Sequence, residues 1–215
     1  MNKQQEQLEA IKEMRNLMER SSRFLSLSGL AGVVIGIIAL LGVAALHQQL
    51  NLSALGTDFQ EKLASVTVSV DDGNFIFLIS TALLVLTAAL IAGVLMSANR
   101  SKKLQLPVWD LTAKRLLINL MIPLVAGGLL CLIMIEKGEL TYLIPVTLIF
   151  YGLALVNASK YSFDEIRTHG LLQVLLGLLA AYQPDYALLL WATGFGVLHI
   201  GYGLIIHTKH QNGNK

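Results

Sequence analysis

The amino-acid sequence predicts an all-α polytopic membrane protein: a bundle of six transmembrane helices arranged as three hairpins and preceded by a cytoplasmic amphipathic helix. Three observations carry this expectation. Of the 215 residues, 54% are hydrophobic and only 14% charged, outside the usual range for a soluble globular domain. The apolar residues collect into runs close to the ~20 a helix needs to cross a hydrocarbon core. Lysines and arginines fall almost entirely in alternate connections, as the positive-inside rule requires of a chain that crosses repeatedly.

The polar start, residues 3–20, places Leu8, Ile11, Met14 and Met18 at helical spacing with charges on the other faces. It is expected to lie on the inner membrane surface or to dock a cytoplasmic protein partner. Residues 1–23 form this cytoplasmic segment, residues 24–207 the transmembrane domain and residues 208–215 a cytoplasmic tail. The spans are expected over 24–46, 75–97, 116–135, 140–157, 166–182 and 186–206. Counted from Gly170, the fifth has an apolar core of only 13 residues and must borrow from Ile166 or from the Gln183-Pro184-Asp185 turn to cross. With that start, no span contains Asp, Glu, Lys or Arg.

With the N-terminus inside, the inner segments hold Lys3, Lys12, Arg15, Arg20 and Arg23; Arg100, Lys102, Lys103, Lys114 and Arg115; Lys160 and Arg167; and Lys209 and Lys215. Lys62 and Lys137 alone fall outside. Both termini are therefore expected in the cytoplasm. The net charge of +2 hides this asymmetry, because seven of the 14 acidic residues lie in outer connections. The basic balance thus reports topology and gives no reason to expect nucleic-acid binding. The first apolar run is too long for a signal h-region and is expected to stay as an anchor. Cys131, the single cysteine, supports neither a disulfide nor a thiolate metal cluster.

The pairs of spans look alike. Placing Gly36 on Gly177 aligns "GLAGVVIGIIAL" with "GLLQVLLGLLAA", and Gly128 on Gly177 puts Gly152 on Gly201. Hairpins entering from one side would be parallel repeats about an axis along the membrane normal. The first outer connection, His47 to Asn74, is long and reads as a short helix or strand followed by an Asp-Asp-Gly turn.

The last hairpin, "GLLQVLLGLLAAYQPDYALLLWATGFGVLHIGYGLII", combines a glycine-spaced helix, a Pro-containing outer turn and a helix ending in Gly-rich apolar sequence. In this it resembles the HdeD-like acid-resistance family of small six-span bacterial membrane proteins. The resemblance implies the architecture, a bacterial inner-membrane location and a stress-related role, and it brings no catalytic residues. The long first outer connection and the polar N-terminal helix depart from that pattern.

Enzyme signatures are absent: there is no His-Glu-x-x-His, Gly-x-Ser-x-Gly or phosphate-binding loop. The glycines of "GFGVLHIGYG" have the spacing Gly-x-Gly-x-x-x-x-Gly inside an apolar span, which is not a dinucleotide loop. Glu136 and Glu139 read as a solvated outer cap. Two imidazoles, His169 and His199, can in principle bind a haem, but without a further motif no cofactor is expected.

Polar groups inside spans are costly unless partnered. From a rise of about 1.5 Å per residue, Asn119, Tyr202 and, counted from Gly170, Gln173 lie within roughly 6 Å of the inner ends of their spans, Tyr151 roughly 9 Å and His199 roughly 11 Å. These five are expected to form a hydrogen-bonded layer in the inner half, with Gln173 as the nearest partner of His199 and Asn119 next. Ala192, Gly196, His199 and Gly203 follow at steps of four, three and four, one face of an α-helix. With Gly36 and Gly177 they are the expected helix-packing positions, where small residues admit a close neighbour. Buried there without an anionic partner, His199 is expected as a neutral imidazole.

The expected function is that of a structural, interaction or stress-related bundle without catalytic activity, in contact with membrane lipid and forming a homo-oligomer. The alternative is a transporter or channel for a neutral or lipid-like small molecule. Against that alternative stands the lack of charged residues in the spans, which ion-coupled carriers keep as relays or ion ligands.

Overall fold

The computed structural model describes residues 28–66, 68–69, 71–105, 107 and 109–211, with side chains to Lys209. The amphipathic segment 3–20, the first residues of the 24–46 span and the end of the 208–215 tail lie outside the described residues. Among the described residues the chain is all-helical, without strands. Its elements are α1 (Gly29–Gln49), α2 (Phe59–Ala64), α3 (Gly73–Lys103), α4 (Leu111–Glu136), α5 (Leu143–Ala158), α6 (Asp164–Tyr182), α7 (Ala187–Trp191) and α8 (His199–Gln211). The last two are joined by the π-helix Ala192–Leu198 into one continuous rod.

Five segments are long and apolar enough to cross a membrane: Gly29–Gln49, Gly73–Lys103, Leu111–Glu136, Leu143–Tyr161 and Pro184–Lys209. α6 is absent from this set because its first turns read Asp-Glu-Ile-Arg-Thr-His, which lowers its mean hydropathy although the remainder is apolar. Local chemistry sets the helix starts. Asp72 accepts from the backbone N–H of Asn74 and Phe75 at the head of α3, and Asp110 accepts from Ala113 N–H at the head of α4 at 2.6 Å, both satisfying amides that have no partner within the helix. Pro123 sits inside α4 without ending it, as transmembrane-type helices tolerate.

The helices stand in a row. α3 packs along α1, α1 along the α7–α8 rod, the rod against α6, α6 along α5 and α5 along α4. α3 and α4 are therefore the ends of the row. Over its top lies the first outer connection, which forms the helix α2. Leu50, Leu52, Phe59, Leu63 and Val66 are buried there with Leu140 and Leu188, packed on Leu46, Phe75, Ile135 and Ile144. This one segment therefore gathers five of the long helices at the ends nearest to it.

Glycines allow the closest crossings. A Cβ on Gly29 would lie 2.6 Å from Gly203 O, and one on Gly203 would lie 2.7 Å from Gly29 O. α5 and α6 repeat the arrangement, since a Cβ on Gly152 would lie 2.6 Å from Gly170 O and one on Gly170 would lie 2.7 Å from Gly152 O. Two turns further along, Gly36 meets Gly196 and Ile200, while Gly177 meets Ile149 and Leu148. The pairs Gly29/Gly36 and Gly170/Gly177 thus serve the same purpose against different neighbours. Gly128 and Gly201, which sequence alignment equates with Gly177 and Gly152, face open space. The tight partners are Gly127, against Phe150, and Gly203.

Candidate functional site: a buried Tyr, His and Gln cluster around a wide helical turn

Where the rod passes between α5 and α6, polar side chains converge on one backbone carbonyl. Gln173 lies on α6 one helical turn after His169, so the two share a face. Gln173 is fully buried and His169 and His199 nearly so. Gly194 O accepts from Gln173 Nε2 at 2.9 Å and from His199 Nδ1 at 3.1 Å. The turn around Gly194 explains its availability. In a π-helix the backbone bonds run i→i−5, displaced from the regular ladder, and Gly194 lies within that segment.

A carbonyl can only accept, so His199 carries its proton on Nδ1. Its Nε2 is then an acceptor, and Tyr151 O–H donates to it at 2.8 Å. Gln173 uses its second amide hydrogen on His169 Nε2 at 3.2 Å. Both imidazoles are thereby specified as neutral Nδ1–H tautomers. Gln173 Oε1 has no hydrogen-bond partner and lies against the Cα of Gly194, where any Cβ would collide with it. The side-chain amide therefore clasps the Gly194 peptide.

Aromatic rings complete the cluster. His169 meets His199 edge-on at 4.6 Å and stacks on Tyr202 at 4.8 Å. Phe195 lies 4.8 Å from Tyr151 and 4.7 Å from Trp191. At the polar end of α6, Lys209 Nζ binds Glu165 Oε1 at 2.6 Å, tying α8 to α6.

Of the residues expected in a polar layer, four are brought together: His199, Gln173, Tyr151 and Tyr202. Gln173 reaches His199 only through Gly194 O, and Tyr151 is the direct partner. Asn119 is not part of the cluster. Its Nδ2 donates to Arg115 O of its own helix at 2.8 Å, and its backbone O accepts from Asn157 Nδ2 at 2.8 Å. Depth arithmetic put it at the right level, but α4 stands at the end of the row, away from the rod. His169, considered in the sequence only as a possible haem ligand, was not placed in the layer because it lies in the polar start of α6. Its spacing of four from Gln173 was the signal that could have found it.

The packing face also needs correction. The steps of four, three and four assume an unbroken α-helix, whereas the π-turn adds width between Ala192 and His199. Gly194 replaces Ala192 as the buried small residue, and Ala192 is only half-buried. Gly196 and Gly203 turn to α1, while Gly194 turns to α5 and α6. A haem between His169 and His199 does not fit, since the rings touch and each Nε2 already has a hydrogen-bond partner.

No protein-family model, curated protein or solved structure matches the chain. Fold and site alone thus define its class: an all-helical, multi-pass membrane-type protein with a buried polar cluster around a π-turn.

Proposed function

We propose that this is a six-span protein of the bacterial inner membrane, with both termini in the cytoplasm, that acts as a structural and interaction bundle without catalytic activity. The observation that carries this reading is the state of the one cluster with chemistry to offer. Tyr151, His169, Gln173 and His199 are hydrogen-bonded to one another and to Gly194 O across α5, α6 and the rod, with Gln173 Oε1 set against the Gly194 Cα, which is what interhelical fastening requires. Packing supports α6 as the sixth crossing. Its 19 residues span about 28 Å, and it is wedged between α5 and the rod, both long and apolar enough to cross. The paired use of Gly29/Gly36 and Gly170/Gly177 supports related hairpins, and with the last hairpin's resemblance to the HdeD-like family it favours a stress-related role.

The test is the accessibility of Gln173. In a Cys131→Ser background, Gln173→Cys is expected to resist a membrane-impermeant thiol reagent applied from the cytoplasmic side, while Lys103→Cys reacts. Labelling of both at similar rates would replace the bundle with an open cytoplasmic cavity, the transporter reading.

A further inference from the structure

We infer that His199 is a proton-binding site inside the bundle, taking up the first proton the cluster receives with both of its hydrogen bonds kept, while Gln173 holds His169 neutral. The inference rests on the reading of the cluster as a fastening between helices. As a neutral Nδ1–H tautomer, His199 donates to Gly194 O at 3.1 Å and accepts from Tyr151 O–H at 2.8 Å. A proton added at Nε2 reverses only the second of these bonds. A phenol oxygen accepts as well as donates, so the Tyr151 hydrogen rotates away and Nε2–H donates to Oη. Both N–H groups of the imidazolium then have acceptors, and a bond from a charged donor is the stronger kind.

His169 has no such latitude. Its Nε2 faces the amide nitrogen of Gln173 at 3.2 Å, and the same nitrogen donates to Gly194 O at 2.9 Å. A proton on His169 Nε2 would set N–H against N–H. Turning the Gln173 amide over presents Oε1 to His169, but it also sets Oε1 against Gly194 O, acceptor against acceptor. The clasp on the π-turn is then lost. Two imidazoliums would also repel, since the rings meet edge-on at 4.6 Å. The cluster therefore accommodates one proton, and a second opens it.

Position alone would favour His169, which lies one turn after Glu165 on α6. That carboxylate binds Lys209 Nζ at 2.6 Å, so the pair presents little net charge to a further cation. Asp164 and Arg167, the other charged residues of α6, are exposed. On the rod, Tyr202, His207 and Lys209 follow His199 toward the Glu165 end. α5 offers Tyr151 as its one titratable residue, and α1 carries none from Gly29 to Leu46. Gly32 of α1 meets His199 at its backbone O. Aromatic faces suit a cation on either ring: Tyr202 lies 4.8 Å from His169, and Tyr151 and Phe195 lie 5.4 and 5.7 Å from His199. Hydrogen bonding thus decides the order.

Imidazole nitrogen NMR of the full chain in nanodiscs tests this, with the two signals assigned through His169→Phe and His199→Phe. Both rings are expected as neutral Nδ1–H tautomers at about pH 8. On acidification to about pH 4, His199 is expected to become the imidazolium while His169 stays neutral. Amide protection over residues 192–198, measured against intrinsic exchange rates at each pH, is expected to hold through that first step. Tyr151→Phe removes the oxygen that receives Nε2–H and should lower the proton affinity of His199 about tenfold, leaving His169 unchanged. Glu165→Gln should leave the first step in place. A proton taken first by His169, both rings neutral throughout, or protection of the π-turn lost together with the first proton would overturn the site. Loss of the step in Glu165→Gln would also overturn it, in favour of the pair with Lys209. Free labelling of Gln173→Cys would instead defeat the fastening reading itself.

Discussion

Gly194 has two obligations at once, and a single methyl group tests both. Its carbonyl receives two side-chain donors, and its Cα lies against Gln173 Oε1. Gly194→Ala is therefore expected to destabilise the detergent-solubilised protein by about 1–3 kcal/mol, the usual cost of overpacking. Removing the obstacle should recover part of the loss: Gly194→Ala combined with Gln173→Ala is expected to be less damaging than the sum of the two single changes. Thermal unfolding of the four proteins measures the coupling, and strictly additive losses would show that Gln173 does not clasp this peptide. Tyr151→Phe is a smaller perturbation, since one interhelical hydrogen bond in a membrane protein averages about 0.6 kcal/mol. At this scale the sequence was partly legible. Buried polar residues in apolar runs must find partners, which identified His199, Gln173, Tyr151 and Tyr202. Their particular partners depend on which helices are neighbours and on a π-turn that α-periodicity cannot register, so Asn119 was included and His169 left out.

Among the elements, the outer connection shows how a loop becomes part of the core. Its length marked it as unusual in the sequence, but a helix or a strand was equally compatible with the residues. The structure resolves this as α2, because Phe59 and Leu63, four apart, both enter the apolar cluster with Leu140 and Leu188. One carboxylate anchors its start: Asp58 Oδ1 accepts from both the backbone N–H and the hydroxyl of Ser53 at 2.8 Å. These bonds to Ser53 hold the Asp58 carboxyl below its ordinary 3.8. The folded value is thus the lower one, so the stabilisation is fully present above the unfolded value of about 3.9 and is lost as pH falls through the folded value. Protection of the amides around residues 53–63, measured against their intrinsic exchange rates at each pH, should fall below about pH 4 relative to neutral pH. Asp58→Asn should remove this acid step, and an identical profile in that variant would assign it to another group.

For the whole molecule, hydropathy made most of the architecture legible, because long apolar helices must be continuous where no water can satisfy a backbone. Spatial order was not legible, because leucine and valine on a lipid-facing surface look the same as leucine and valine between helices. The row, with α3 and α4 at its ends, follows from glycine crossings that bring α1 onto α8 and α5 onto α6. α6 is the decisive helix for topology. Its polar start, with Glu165 bound to Lys209, suits the cytoplasmic interface, where acidic side chains also favour a helix N-terminus. Glycine contacts with α5 at Gly170 and Gly177 then carry its apolar part alongside a membrane-length neighbour. If α6 crosses, the number of spans is even and residues beyond Gln211 share the side of the N-terminus; if it only dips in and returns, they lie opposite. A fluorescent protein fused after Lys215 is accordingly expected to be bright, and alkaline phosphatase fused there inactive, with the reverse pattern for fusions after Gly138 in the α4–α5 connection. Phosphatase activity at the C-terminal fusion together with fluorescence at an N-terminal one would make the count odd. That outcome would reduce α6 to a re-entrant helix while leaving the packed cluster around Gly194 intact.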